Sequence, residues 1–323
     1  MKKTFLFILI AVFLFFSIFS IVNIFQQKQI LNQNVSIPRG ASLQNIAKIL
    51  AESKVIDSPT LFLIISKLFY HRKSISYGQF DFTGKYNLPE VIAKLSKADI
   101  VAYTITIPEG FTVRNIAEVL TKKNMIDFNK FISLTQDTLF IKQLGLKLNN
   151  LEGFLFPDTY YIPYYAKEKD IIKMMLDNFF GQWDKIQNSN LNSDSLYSVL
   201  ILASIIQSES CFEDEMPIIA GVYRNRLQTN MLLQADPTVA YALALHNQKR
   251  TKIYFDDLKI RSPYNTYLNR GLPPTPICNP GTAAIESALK PENTDYIFFF
   301  AGEDSHHIFS RTYNEHLQKM GRL

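Results

Sequence analysis

The stretch VLILASIIQSESCFEDEMPIIAGVYRNRLQTNMLLQADPT, Val199–Thr238, decides how the chain is read. A polar, Asn/Ser-rich run (Gln187–Asp194) leads into it, and Ser193 or Asp194 suits the N-cap of a helix. Val199, Leu202, Ala203 and Ile206 then recur at helical spacing and form one apolar face. Glu209 follows Ile205 by four residues and Ile206 by three, so it sits on the edge of that face. A carboxyl held beside buried aliphatics loses hydration, and its pKa rises. That is the property of a general acid working near neutral pH. A lone Glu at a helix end is more often solvated or salt-bridged, so the rest of the chain must carry the argument. The acids after it, Glu213, Asp214 and Glu215, read as a solvated turn opening the next helix rather than a metal site. That next helix is expected over Ile218–Leu227, with Arg224 and Arg226 on its polar side.

Composition narrows the classes. With 323 residues the chain can hold a membrane anchor and about two domains. A net charge of +5 is mild and suits an anionic envelope or membrane surface. No basic block interleaved with aromatics stands out, so nucleic acid is not expected as a partner. Two cysteines, Cys211 and Cys278, are too few for a disulfide scaffold and read as buried thiols.

Three regions are expected. Lys2 and Lys3 precede a nearly unbroken apolar run, Phe5–Phe25. It is long enough to span a bilayer, too long for the core of a signal peptide, and lacks a small-residue cleavage site. The basic start places the N-terminus in the cytoplasm. Residues 1–30 are therefore read as a single-pass anchor. An internal repeat opens the second region, 31–150. VSIPRGASLQNIAKILAESKVID (Val35–Asp57) aligns without gaps on ITIPEGFTVRNIAEVLTKKNMID (Ile105–Asp127). Each copy reads as strand, Pro-x-Gly turn, amphipathic helix, apolar pair and acidic N-cap. Two copies are too few for a solenoid and suggest paired small α+β modules, a scaffold or a binding element. Between them Tyr77–Phe82 alternates as a strand and Leu88–Leu95 reads as a short helix.

Residues 151–323 carry the denser motifs and are read as a mixed α+β catalytic domain. LEGFLFPDTYYIP (Leu151–Pro163) is rich in aromatics that suit sugar stacking or ordinary core packing. LLQADPT (Leu232–Thr238) turns at Asp236-Pro237. SPYNTYLNRGLPPTPICNPG (Ser262–Gly281) is a long Pro/Gly loop offering Tyr264, Asn265 and Tyr267 as hydrogen-bonding groups. A helix capped by Thr282 should run to Leu289, followed by a strand over Tyr296–Ala301, a strand or turn beginning at His307–Phe309 and a last helix over Tyr313–Met320. There is no Gly-x-Ser-x-Gly, His-Glu-x-x-His, metal-spaced Cys pair or phosphate-binding glycine loop. No metal and no cofactor is expected. What remains is a carboxyl acid with polar and aromatic positioning groups, which suits glycosidic-bond cleavage.

Taken together and in order, ASIIQSES (Ala203–Ser210), LEGFLFPDTY, LQADPT, SPYNTY, GLPPTPICNPG and HHIF (His306–Phe309) resemble the membrane-anchored endolytic murein transglycosylases. The resemblance runs nearly the whole length of the chain. It implies a single-pass protein of the inner membrane, with a LysM-like N-terminal part and a periplasmic catalytic domain. It implies peptidoglycan glycan strands as substrate, and peptidoglycan synthases as partners. It places the catalytic glutamate, second acid of a Glu-x-Glu pair, on Glu209; the first position is Gln207 here. The implied reaction cuts the β-1,4 bond between N-acetylmuramic acid and N-acetylglucosamine and closes a 1,6-anhydro ring, limiting strand length. Gln234, Asp236, Tyr264, Asn265 and Tyr267 are expected to position the sugar, with Glu152 and His307 near the cleft. Two other readings compete. One is a non-catalytic glycan-binding anchor; the other is a water-using muramidase with Asp158 or Asp236 as second carboxylate.

Overall fold

In the computed structural model the described residues are 24–38, 40–69, 75–97, 101–186, 193–210, 212–248, 250 and 252–321. The apolar run read as an anchor lies outside them except for Ile24 and Phe25, and Cys211 lies outside them too. Among the described residues no helix is long and apolar enough to cross a membrane. Among the described residues the fold is mixed α+β, with short helices dominating and the sheets two-stranded. Two compact units divide the chain: residues 1–104 with 161–165, and residues 105–160 with 166–323.

The first unit is built around the first repeat. Strand β1 (Lys28–Ile30) is followed by β2 (Asn34–Ile37), α1 (Leu43–Glu52) and α2 (Pro59–Phe69). Then come β3 (Gly78–Asp81), β4 (Gly84–Tyr86) and α3 (Leu88–Ser96). β1 pairs antiparallel with β4, Lys28 opposite Tyr86, and β2 antiparallel with β3, Asn34 opposite Asp81. Alternation in β2 buries Val35 and Ile37 while Asn34 and Ser36 face out. These residues meet Ile46 and Leu50 of α1, Phe62 of α2, Phe80 and Phe82, and Ile92 and Leu95 of α3 in one core.

The second repeat, from Ile105, opens the other unit with the end of β5 (Ala102–Ile107) and α4 (Val113–Lys122), and the two copies share their backbone solutions. Gly40 and Gly110 have φ of 76° and 77°, a left-handed turn that only glycine enters freely. Ser42 and Thr112, one repeat apart, accept from the backbone N–H of Asn45 and Asn115 as N-caps. Lys54 and Asn124 both reverse the chain past the helix end with positive φ. The copies part at the expected acidic cap. Asp127 caps α5 (Phe128–Gln136) by accepting from Lys130 N–H, whereas Asp57 pairs with Lys28 and Ser58 accepts from Leu61 N–H instead.

After α6 (Thr138–Gln143), strand β6 (Asp158–Pro163) pairs with β5. The core of this unit is α8 (Ser193–Glu209), reached from α7 (Glu168–Ile186). Leu200 through Ile206 are all buried, Ser204 included, so α8 is enclosed around its girth rather than amphipathic. It packs on α9 (Met216–Gln228), α10 (Asp236–Leu245) and α11 (Thr282–Leu289). The Ser204 hydroxyl donates to Ile201 carbonyl at 2.7 Å and accepts from Ile277 N–H at 3.0 Å, which satisfies a polar group inside an apolar layer. The expected cap of α11 shifts by one: Gly281 is the N-cap and Thr282 the first helical residue. Asp236-Pro237 opens α10 instead of simply turning the chain, since proline fits the first turn of a helix. β7 (Phe298–Ala301) and β8 (His307–Ser310) form an antiparallel hairpin, followed by α12 (Tyr313–Lys319).

Candidate active site

Glu209 is the last residue of α8, with fully buried Ile205 and Ile206 behind it and an open cavity of about 790 Å³ in front. Its Oε1 accepts the Tyr223 hydroxyl at 2.5 Å. Burial is the main cause that lifts the Glu209 carboxyl from 4.5 to about 7, and the nearby Asp236 charge adds to it. The Tyr223 hydrogen bond and the Arg226 charge pull the other way. Tyr223 sits on α9, fully buried, with the edge of Phe299 against its ring at 5.8 Å. Burial, then the Glu209 charge, pushes its hydroxyl well above the usual phenol range, so it serves as a donor only.

Arg226 departs from the expected polar side of α9. It is 6% exposed; its Nε donates to Ile297 carbonyl at 2.7 Å and its Nη1 to Leu233 carbonyl at 2.6 Å. Those backbone acceptors come from segments the helix periodicity does not contain. Glu215 departs likewise from the solvated acidic turn. It is buried, accepting from His307 N–H and facing His307 Nδ1, both at 2.7 Å, with Ser210 Oγ at 3.3 Å. These bonds outweigh its burial and hold its pKa below the usual value. Across the His307 ring lies Phe299, edge-on at 5.1 Å, and Phe299 in turn supports Tyr223.

Asp236, at the start of α10, lines the same cavity as Glu209 and accepts the Tyr267 hydroxyl at 2.6 Å. Burial first, then this bond, pushes the Tyr267 hydroxyl up. The other expected site residues are not among those that line this cavity. Asn265 is fully buried; its Nδ2 donates to the carbonyls of Leu258 and Ile260 at 2.9 Å each, and its Oδ1 accepts Tyr267 N–H. It shapes the loop and presents no free polar atom to a sugar. Tyr264 bonds Thr275 Oγ1 and packs its ring on Tyr241 at 4.9 Å. Gln234 is exposed, has φ 52°, and donates its backbone N–H to Thr266 carbonyl. Asp158 pairs with Asn178 Nδ2 and is not among the cavity-lining residues.

Glu152 is a second buried carboxyl, also lifted to about 7, with burial as the main cause. One oxygen accepts the first N–H of α4, from Val113, at 2.9 Å; the other accepts the hydroxyl of Tyr241, which lines the cavity. Asn279 ties three segments together. Its Oδ1 accepts Leu155 N–H at 2.8 Å, its Nδ2 donates to Phe111 carbonyl at 2.7 Å, and its carbonyl accepts Gly110 N–H at 2.9 Å. Gln207 accepts Gly281 N–H at 2.8 Å, and the Glu109 carboxyl lies where a side chain on Gly281 would have to go. Cys278 is a buried free thiol whose pKa burial lifts to about 12, so it is inert as a nucleophile.

Tyr223 is the Glu209 partner that periodicity missed. The available signal was that Tyr223 and Arg226, three apart, must share one face of α9. Fold and site together define an α+β domain with a desolvated carboxyl of raised pKa at the end of a buried helix, held by a tyrosine and lining a cleft. The YceG-like family model matches residues 35–322, and the chain belongs to that family. A Bacillus subtilis protein named endolytic murein transglycosylase is 34% identical over 303 residues, 88% of this chain and 82% of its own. A Streptococcus pneumoniae protein of the same name is 28% identical, and the match covers 83% of this chain but 54% of the pneumococcal one. The chain thus matches about half the length of that relative. The crystal structure of a YceG-like protein from Listeria monocytogenes aligns with a TM-score of 0.59 at 30% identity, covering 91% of this chain and 99% of that one.

Proposed function

We propose that this protein is an endolytic peptidoglycan lytic transglycosylase, with Glu209 as its only proton-transfer group. The observation that carries the reading is a carboxyl near pKa 7 at the cleft, with one oxygen already occupied by Tyr223. Near neutral pH about half of such groups carry a proton. Since Oε1 accepts from Tyr223, the transferable proton sits on Oε2. Glu209 protonates the oxygen of the β-1,4 bond that leaves N-acetylmuramic acid. The muramoyl C6 hydroxyl attacks C1, and the Glu209 carboxylate takes its proton. The bond to N-acetylglucosamine breaks, a 1,6-anhydro ring forms, and the acid is regenerated. Tyr223 and Arg226 steady the carboxylate between the two transfers. One carboxyl suffices because the nucleophile belongs to the substrate.

In the same reading residues 1–30 anchor the enzyme in the inner membrane with the ectodomain in the periplasm. Residues 31–150 include LysM-like modules that hold the strand, and residues 151–323 cut it. Cleavage of strands still being made by peptidoglycan synthases then limits their length. The test is digestion of uncrosslinked murein in ¹⁸O-water with mass analysis of the muramoyl ends. Anhydro ends without label are expected; labelled reducing ends mean hydrolysis and reject the lyase chemistry. Asp236 gives the hydrolytic reading its one specific support, a second carboxylate on the same cavity as Glu209.

A further inference from the structure

The cleft carries charge that an uncharged glycan does not need. Besides Glu209 and Asp236, its lining includes Arg114, Arg250 and Lys252. Each cation is only loosely engaged. Arg114 Nε lies 3.5 Å from Glu118, on its own helix, with the guanidinium 5.5 Å over the Phe128 ring. Arg250 Nε lies 3.6 Å from Asp257, whose other oxygen accepts Tyr254 N–H. Lys252 makes no ion pair among the described residues. Three cations converging on one cavity repel each other and raise the local potential for an anion. The N-acetyl sugars and their glycosidic bond bring none. The stem peptide does: it hangs from the lactyl group of each muramic acid and bears free carboxylates.

Resting on the transglycosylase reading, we infer that Arg114, Arg250 and Lys252 form a carboxylate subsite for the stem peptide of the muramic acid at the scissile bond. The cations share their cavity with Glu209, so the anion they take must lie close to the bond being cut. A strand then docks by two handles, its sugar at Glu209 and its peptide at the cationic wall. Strands stripped of peptide and capped at the lactyl carboxylate lose one of them.

The test separates binding from turnover by using the full-length chain carrying Glu209→Gln. Its affinity is measured for two strand preparations of equal length, both free of lipid pyrophosphate, one with stem peptides and one stripped by an amidase with the lactyl carboxylates so exposed capped as methylamides. Peptide-bearing strands should bind about tenfold tighter, the equivalent of two weak ion pairs. The preference should shrink as salt rises from 0.05 to about 0.5 M. Adding Arg114→Gln, Arg250→Gln and Lys252→Gln should bring the ratio near one, and the charge-keeping Arg114→Lys, Arg250→Lys and Lys252→Arg should restore it. Equal affinity for both strands, or a ratio untouched by neutralisation, overturns the subsite. Cleavage by the unmodified chain is scored separately, so loss of the enzymatic reading would show there and not in the affinity ratio.

Discussion

Replacing Tyr223 with Phe removes one hydroxyl and little else, because the ring stays packed against Phe299. The lost hydrogen bond favoured the charged form of Glu209. A hydrogen bond to a charged group is worth about 1.5–3 kcal/mol. At about 1.4 kcal/mol per pKa unit, the Glu209 carboxyl should climb by about one to two units from its value near 7. The free enzyme must hold Glu209 protonated to act as the acid, so kcat/KM falls as pH rises through that pKa. Tyr223→Phe should therefore move the alkaline limb upward, to about pH 8–9. It should also lower the plateau by about ten- to a hundredfold, because the carboxylate formed during proton donation loses its donor. The assay is kcat/KM on uncrosslinked strands between pH 5 and 10, with the thermal midpoint recorded at each pH. A limb that stays in place or moves down refutes the assigned role of Tyr223, and so does an unchanged plateau.

Glu209 and Glu152 both bind protons more tightly when folded than the ordinary 4.5 implies. Between about pH 4.5 and 7 the native state keeps protons the unfolded chain has lost, so stability should fall across that window by up to about 3 kcal/mol per carboxyl. Urea titrations at pH 5 and 8 measure this, and Glu209→Gln should flatten the trend; stability that rises over the window contradicts the burial. Glu215 has the opposite sign, a lowered pKa, so its pairing with His307 is in force above about 4.5 and is lost only as pH falls through the lower native value. Glu215→Ala strands His307 and should cost about 3 kcal/mol or more in denaturant unfolding, with a cost under 1 kcal/mol arguing against a buried pair. Gly153→Ala puts a Cβ 2.6 Å from Pro276 at a φ of 89° and should destabilise by about 2 kcal/mol or more, read as a lower unfolding midpoint.

How much of this was legible in the sequence depended on the range of the interactions. The repeat could be read because its helices and turns are local, and Gly40 and Gly110 meet the same left-handed backbone demand. Glu209 could be singled out because Ile205 and Ile206, four and three residues before it on its own helix, are fully buried. Arg226 and Glu215 could not, because the groups that bury them, the carbonyls of Ile297 and Leu233 and the His307 imidazole, arrive from other segments. Charge pattern alone assigns such residues to solvent. Asn265 drew notice as a hydrogen-bonding loop residue, and its bonds prove to be internal. α10 was hidden by Asp236-Pro237, a pair equally suited to a turn and to a helix start.

Glu209→Gln keeps the shape of the side chain and an oxygen for Tyr223, and removes only the transferable proton. Incubated with uncrosslinked murein strands at pH 7, that variant should release no anhydro-muramoyl fragments while unfolding at or above the temperature of the unmodified chain. Fragments appearing at an undiminished rate would mean that another group moves the proton, and the account of this cleft would be wrong.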